Sequence, residues 1–149
     1  MQLIRTYLSA ASPAAIWADA LNDRIGDPPV LPLGGVVDLE ICLFTHRIGG
    51  GLATMSISDL SAATWALKIT DEPGGVAYVT ASAPVPGICC EADPPLVSLT
   101  SRISVASDAL TAAISGRERV ELTGELSGTV GGQTVYVWRL PHITIFNRL

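Results

Sequence analysis

Apolar and polar residues alternate along most of this chain, and the dominant period is two. Over residues 36–44, Val37, Leu39, Ile41 and Leu43 share one side, while Asp38 and Glu40 mark the other as wet at its start. That is the pattern of a strand with one dry face. Residues 64–70 repeat it with Trp65, Leu67 and Ile69 inward. Asp71-Glu72-Pro73-Gly74-Gly75 supplies turn residues before a return over 76–81, so a hairpin is expected there. Residues 96–105 put Leu99, Ser101, Ile103 and Val105 on one face. In the last third, Val120, Leu122 and Leu126 alternate with Glu121, Thr123, Glu125 and Ser127. Gly131-Gly132-Gln133 then reverses the chain, and 134–140 runs back through Val135, Tyr136, Val137 and Trp138. Pro141 has no N–H to give and interrupts the pairing before Ile143 and Ile145 resume it. The predicted core is Leu39, Ile41, Trp65, Leu67, Val135 and Val137.

Two stretches carry helix signals instead. Ser12-Pro13 places a capping residue before a proline at the first helical position. Trp17, Leu21 and Ile25 then fall four apart, Gly26 suits a helix end, and Asp27-Pro28-Pro29 stops any continuation. This predicts a helix over 13–25 with its apolar stripe on the sheet. Ser107 caps a shorter one through residue 115, with Leu110 and Ile114 four apart and Gly116 after them. Residues 3–8 alternate weakly and suggest a first strand, and 52–58 is ambiguous between strand and loop. Residues 83–95 hold Pro84, Pro86, Pro94 and Pro95 and admit at most a short strand over 88–92, outside any sheet centre. The expectation is a mainly β chain, a single antiparallel β-sandwich of about seven to nine strands. It carries one N-terminal helix and one short helix before the last hairpin. Residues 1–29 form an N-terminal strand and helix segment packed on a sandwich domain at 30–149.

Composition narrows the classes. A chain of 149 residues that is 48% hydrophobic and only 15% charged, with 14 Gly and 10 Pro, suits short strands and many turns better than a helical bundle. The net charge of −5, with nine Lys and Arg scattered singly, argues against a nucleic-acid partner. Arg117 and Arg119 cluster only with Glu118 and Glu121 among them. No stretch approaches the ~20 apolar residues of a membrane-spanning helix. The alanine-rich run after Arg5 is broken by Ser9, Ser12, Pro13 and Asp19, so it lacks the apolar core of a secretory signal. Cys42, Cys89 and Cys90 are then expected as reduced thiols.

Candidate chemistry is sparse. His46 and His142 are the only histidines, and neither has ligands at metal spacing; Cys89 and Cys90, adjacent on a strand, would point to opposite faces. No metal, no cofactor and no catalytic residue is expected. Asp38 with Glu40, and Glu121 with Glu125, share strand faces, which a solvated surface explains more simply than an acid–base pair across a cleft. No serine sits in a G-x-S-x-G elbow, and Gly49-Gly50-Gly51 lacks the Lys-Ser/Thr and helix start of a phosphate cradle. Tyr136 and Trp138 share a face and form a candidate glycan-stacking pair; the competing reading uses scarce aromatics in the core.

Several phrases together resemble a family of bacteriophage tail proteins, the immunoglobulin-like N-terminal modules of baseplate upper proteins and related tail-fibre or receptor-binding proteins. They are Leu33-Gly34-Gly35-Val36-Val37-Asp38-Leu39-Glu40-Ile41, and Asp59-Leu60-Ser61 leading into Thr64-Trp65-Ala66-Leu67-Lys68-Ile69. Leu110 to Ile114 followed by Val120-Glu121-Leu122, Glu125-Leu126 and Gly132-Gln133-Thr134 is a third. The closing Leu140-Pro141-His142-Ile143-Thr144-Ile145-Phe146-Asn147-Arg148 is a fourth. The resemblance covers residues 30 to 149 in strand patterns and carries no catalytic role. It implies an immunoglobulin-like sandwich and a non-enzymatic virion structural module that assembles or anchors a tail, baseplate or tail fibre and supports host recognition. The partners it implies are other tail or baseplate proteins, a host surface glycan and the chain itself, as a trimer or another cyclic ring. A carbohydrate-binding sandwich, a host glycan adhesin, is the alternative, and a small hydrolase a distant third.

Overall fold

The computed structural model describes residues 2–9, 16–19, 24–25, 29–46, 52–53, 57–70, 78–90, 96–106 and 108–147. In chain order the strands are β1 (Gln2–Ser9), β2 (Ile16–Asp19), β3 (Arg24–Ile25), β4 (Val30–Pro32), β5 (Val36–His46) and β6 (Leu52–Ala53). After the short helix α1 (Ile57–Ser61) come β7 (Thr64–Thr70), β8 (Thr80–Ala81), β9 (Val85–Cys90) and β10 (Leu96–Ser104). Helix α2 (Asp108–Ile114) precedes the closing pair β11 (Arg119–Val130) and β12 (Gln133–Phe146). Two mixed sheets pack together as a sandwich. The larger has the order β3-β2-β1-β5-β10-β8, with β6 also on β5 and β9 also on β10; the smaller has the order β4-β12-β11-β7.

β5 is the axis of the large sheet. Its dry residues Val37, Leu39, Ile41 and Leu43 are buried against the small sheet, as their alternation requires. β1 joins it in parallel, Ile4 beside Leu39, Thr6 beside Ile41 and Leu8 beside Leu43. β10 joins it on the other side in antiparallel, Leu99 beside Ile41 and Ile103 beside Val37. The second face of β5 is dry as well: Cys42 and Phe44 are fully buried although they point away from the main core. A strand covered on both sides reads as a continuous apolar run, which Ile41-Cys42-Leu43-Phe44 is.

The small sheet is built on the β11–β12 hairpin. Gly131 and Gly132, both at positive φ (59° and 82°), make the two-residue reversal between Val130 and Gln133. β7 pairs with the far side of β11, and β4 pairs in parallel with the end of β12, Leu31 beside Ile145. The chain passes from one sheet to the other at Gly34-Gly35, pinned by the Gly34 N–H to the Val105 carbonyl (2.7 Å) and the Val105 N–H to the Gly35 carbonyl (2.9 Å). Opposite Thr123, β12 carries one residue too many, Pro141-His142, and His142 takes a positive φ of 52° there. This is a β-bulge at the proline that lacks a ladder N–H. Helix α2 forms where expected and buries Leu110 and Ile114.

Four expectations need correction. The helix over 13–25 does not form: Ile16–Asp19 and Arg24–Ile25 are strands, and Trp17 lies beside Leu8 in the extension of β1. Leu21 and Gly26 lie outside the described residues, as do the turn at 71–75 and Gly49 to Gly51. Secondly, the sandwich has twelve strands among the described residues, and the pairs β1–β5 and β4–β12 are parallel rather than antiparallel. Thirdly, the return after β7 does not complete a simple hairpin. The Tyr78 N–H reaches the Ile69 carbonyl (2.8 Å), but Thr80–Ala81 then joins β10 in the other sheet. Fourthly, Val135 and Val137 face outward, 56% and 55% exposed, while Tyr136 and Trp138 face the core. Among the described residues, 52–58 holds β6 and the start of α1, and the proline-rich 83–95 holds the edge strand β9.

The inverted face of β12 gives a direct check. Leu67→Ala, in the packed core, is expected to cost about 2–5 kcal/mol in urea denaturation. Val135→Ala, on the open face, is expected to stay within about 0.5 kcal/mol of the parent. Equal losses at both positions would contradict the face assignment.

Candidate functional site

Two side-chain groupings stand out, one on the inner face of the small sheet and one on the outer face of the large sheet. The first begins with register. Trp65, Gly128 and Tyr136 lie in one row across β7, β11 and β12, and Leu67, Leu126 and Trp138 in the next. Gly128 leaves the middle of its row without a side chain, and the rings close over the gap. Trp65 stacks on Tyr136 (centroids 5.4 Å apart, planes 20° apart) and on Trp138 (5.7 Å, 10°), and Tyr136 stacks on Trp138 (5.6 Å, 27°). These separations lie in the favourable range for offset aromatic pairs. Trp65 is buried and donates its Nε1–H to the Leu60 carbonyl at 2.8 Å, so its one polar group is satisfied by helix α1.

The candidate glycan-stacking residues Tyr136 and Trp138 are therefore brought together, but as half-buried members of a three-ring stack leaning on the core. The stack turns part of their ring faces toward one another. What they offer a ligand is the remaining half-exposed surface at the margin of the sandwich. The sequence signal for this arrangement was Gly128, which has the same parity as Leu122 and Leu126 on β11. A Cβ there would lie 2.8 Å from Trp65 Cζ3 and 3.0 Å from Tyr136 Cδ2.

The second grouping is a polar ladder. Arg5, Glu40 and Thr100 form one row across β1, β5 and β10, with Tyr7, Cys42 and Ser98 in the next. Glu40 is nearly buried, and its carboxylate accepts from Arg5 Nε and, more loosely, from Ser98 Oγ at 3.5 Å. One rung away Arg102 Nε donates to Asp38 Oδ1 at 3.1 Å, in a more exposed pair. The two carboxylates that share this strand face are thus each held by their own guanidinium.

The other candidates stay apart. His142 sits on the bulge with Nδ1 3.6 Å from Glu121 Oε2, both well exposed. His46 ends β5, and Cys89 and Cys90 end β9; their side chains lie outside what is described. Glu125 lies across from Arg139 on one side and Lys68 on the other. Among the described residues no group of three His, Cys, Asp or Glu converges as a metal site would require.

Both groupings can be probed by substitution. Gly128→Ala is expected to force the rings aside and cost about 1–3 kcal/mol, as overpacking does, with a change in near-UV circular dichroism from the disturbed indoles. In the ladder, Arg5→Leu leaves the Glu40 carboxylate buried without its cation and is expected to cost about 1–3 kcal/mol in chemical denaturation. Arg102→Leu, which breaks the more exposed pair, is expected to cost under about 1 kcal/mol.

Scanned against family models and searched among curated proteins, the chain has no match in either.

Proposed function

We propose that this chain is a non-enzymatic structural module of a bacteriophage virion, working in the assembly or anchoring of a tail, baseplate or tail fibre in support of host recognition. Its immunoglobulin-like character belongs to the same proposal. The phrases that resemble the phage family fall on the corner between the sheets and β5, on α1 leading into β7, and on the closing hairpin. They therefore cover the framework of the sandwich rather than one loop. The observation that carries the reading is the aliphatic surface left on this rigid framework. Val85, Ile88, Val135 and Val137 are each more than half exposed (64%, 59%, 56% and 55%). Apolar side chains set on strands, away from converging polar groups, suit a subunit that neighbours cover in an assembly.

The carbohydrate-binding reading keeps one supporting observation, the half-exposed Tyr136–Trp138 stack with centroids 5.6 Å apart. A sugar lying on it would need the open parts of both rings, so Trp138→Ala would abolish binding to soluble glycans while a virion module would be unaffected in particle incorporation.

An antibody raised against the purified chain is expected to label one end of purified phage particles, at the tail, in immuno-electron microscopy. Absence of the chain from particles, together with saturable binding of soluble sugars, would overturn the structural reading in favour of the adhesin.

A further inference from the structure

We infer that the Arg5–Glu40 pair is a register lock. It fixes which residue of β1 stands beside which residue of β5, and Arg102 closes the one competing alignment. The inference rests on the large sheet alone and holds whether or not the chain belongs to a virion. β1 and β5 run parallel with residues 10–35 between them, so no tight turn sets their alignment. On its other side β1 carries β2, which among the described residues pairs only with β1 and β3 and comes near β12 without pairing. No second ladder holds β1 in place.

The apolar pattern does not settle the alignment either. Ile4, Thr6 and Leu8 face inward, and Leu3, Arg5 and Tyr7 lie on the outer side with Glu40 and Cys42. A slip of one residue is rejected, because it would turn Arg5 and Tyr7 toward the core. A slip of two keeps every face. Moved toward the start of β5, Ile4, Thr6 and Leu8 would stand beside Val37, Leu39 and Ile41, which are as dry as their present neighbours. The Thr6 hydroxyl would only exchange the Glu40 carbonyl (3.3 Å) for that of Asp38.

The outer row breaks the tie. In the observed register Arg5 Nε donates to the Glu40 carboxylate, whose side chain is 12% exposed. After the slip Arg5 would stand beside Asp38 and Tyr7 beside Glu40. The Glu40 carboxylate would keep only Ser98 Oγ at 3.5 Å, and a buried charge without its cation is costly. Asp38 could receive Arg5, but Arg102 Nε already donates to it at 3.1 Å from β10. Two guanidiniums would then crowd one carboxylate while the other stood bare. A slip the other way sets Arg5 beside the fully buried Cys42 and Leu3 beside Glu40. Only the observed alignment pairs both carboxylates. Setting alignment is the best-attested use of buried charged pairs.

The register can be read by disulfide trapping. Tyr7 stands beside Cys42 in the observed alignment, whereas Ser9 would stand there only after the two-residue slip. In a background of Cys89→Ser and Cys90→Ser, the Tyr7→Cys and Ser9→Cys chains are refolded separately from urea in a glutathione redox buffer. The disulfide to Cys42 is located by peptide mass. The residue-7 crosslink is expected to dominate, with little at residue 9. Arg5→Leu combined with Glu40→Leu leaves no bare charge, so the chain is expected to stay folded by circular dichroism. Its residue-9 crosslink is expected to rise about tenfold or more. Arg102→Leu, at the more exposed pair, frees Asp38 and is expected to raise that crosslink about two- to fivefold. A folded paired-leucine chain that crosslinks only through residue 7 would overturn the lock, as would a parent that crosslinks equally through both positions. Should the paired-leucine chain not fold, Arg102→Leu decides alone, and an unchanged residue-9 crosslink there overturns the inference.

Discussion

The double burial of β5 is the constraint on which the rest of the sandwich depends. A strand with Leu39, Ile41 and Leu43 on one face and Cys42 and Phe44 on the other cannot stand at a margin. It must be flanked, and β1 and β10 flank it along most of its length. Burial also reaches Glu40, whose carboxylate would be costly without a partner. Arg5 and Ser98 come from the two flanking strands, so the same pairing that shields the apolar side chains delivers the cation and the hydroxyl. Sheet order, register and electrostatics are here one requirement met three times.

The small sheet solves a different problem, that of fitting large rings beside a hairpin. Trp65, Tyr136 and Trp138 need volume on the inner face, and β11 yields it by carrying Gly128 where a larger residue would otherwise point; Gly124 does the same for Leu140 and Ile143. A Cβ on Gly124 would meet Ile143 Cδ1 at 2.9 Å, so that position is as full as Gly128. The glycines cost strand propensity and return close packing. The outcome is a hairpin whose aromatic face closes the core and whose valine face is left open.

Much of this was legible in the alternation, and the failures have physical causes. β5, β7 and β10 each combine a run of period two with polar residues on one parity, which identifies the inward face without ambiguity. In β12 both parities are apolar, Val135 and Val137 against Tyr136 and Trp138, so the period says strand but not which way it faces. The deciding information was across the ladder at Gly128. The N-terminal segment failed for a related reason. Trp17, Leu21 and Ile25 are four apart, a spacing that also keeps one parity in a strand, so the two periods coincide. The Ser12-Pro13 signal is local, whereas the pairing of Trp17 with Leu8 is a sheet contact that helix propensity does not register. The aromatic stack was half legible: Tyr136 and Trp138 were placed on one face, but Trp65 comes from another strand, and only register brings it in.

The two parallel pairs shape the order in which the molecule can become itself. The β11–β12 hairpin joins neighbours through a two-residue turn and can close within microseconds once made. β1 and β5 have no such turn between them, and β4 must find the far end of β12 with most of the chain in between. Contacts of that separation are slow to form because the loop must be closed before it is rewarded. During synthesis β4 therefore leaves the ribosome long before its partner, and β5, whose two apolar faces are the hardest to leave uncovered, waits for β10. The strand at the centre of the finished protein is the one most exposed to misassembly while the chain is still incomplete.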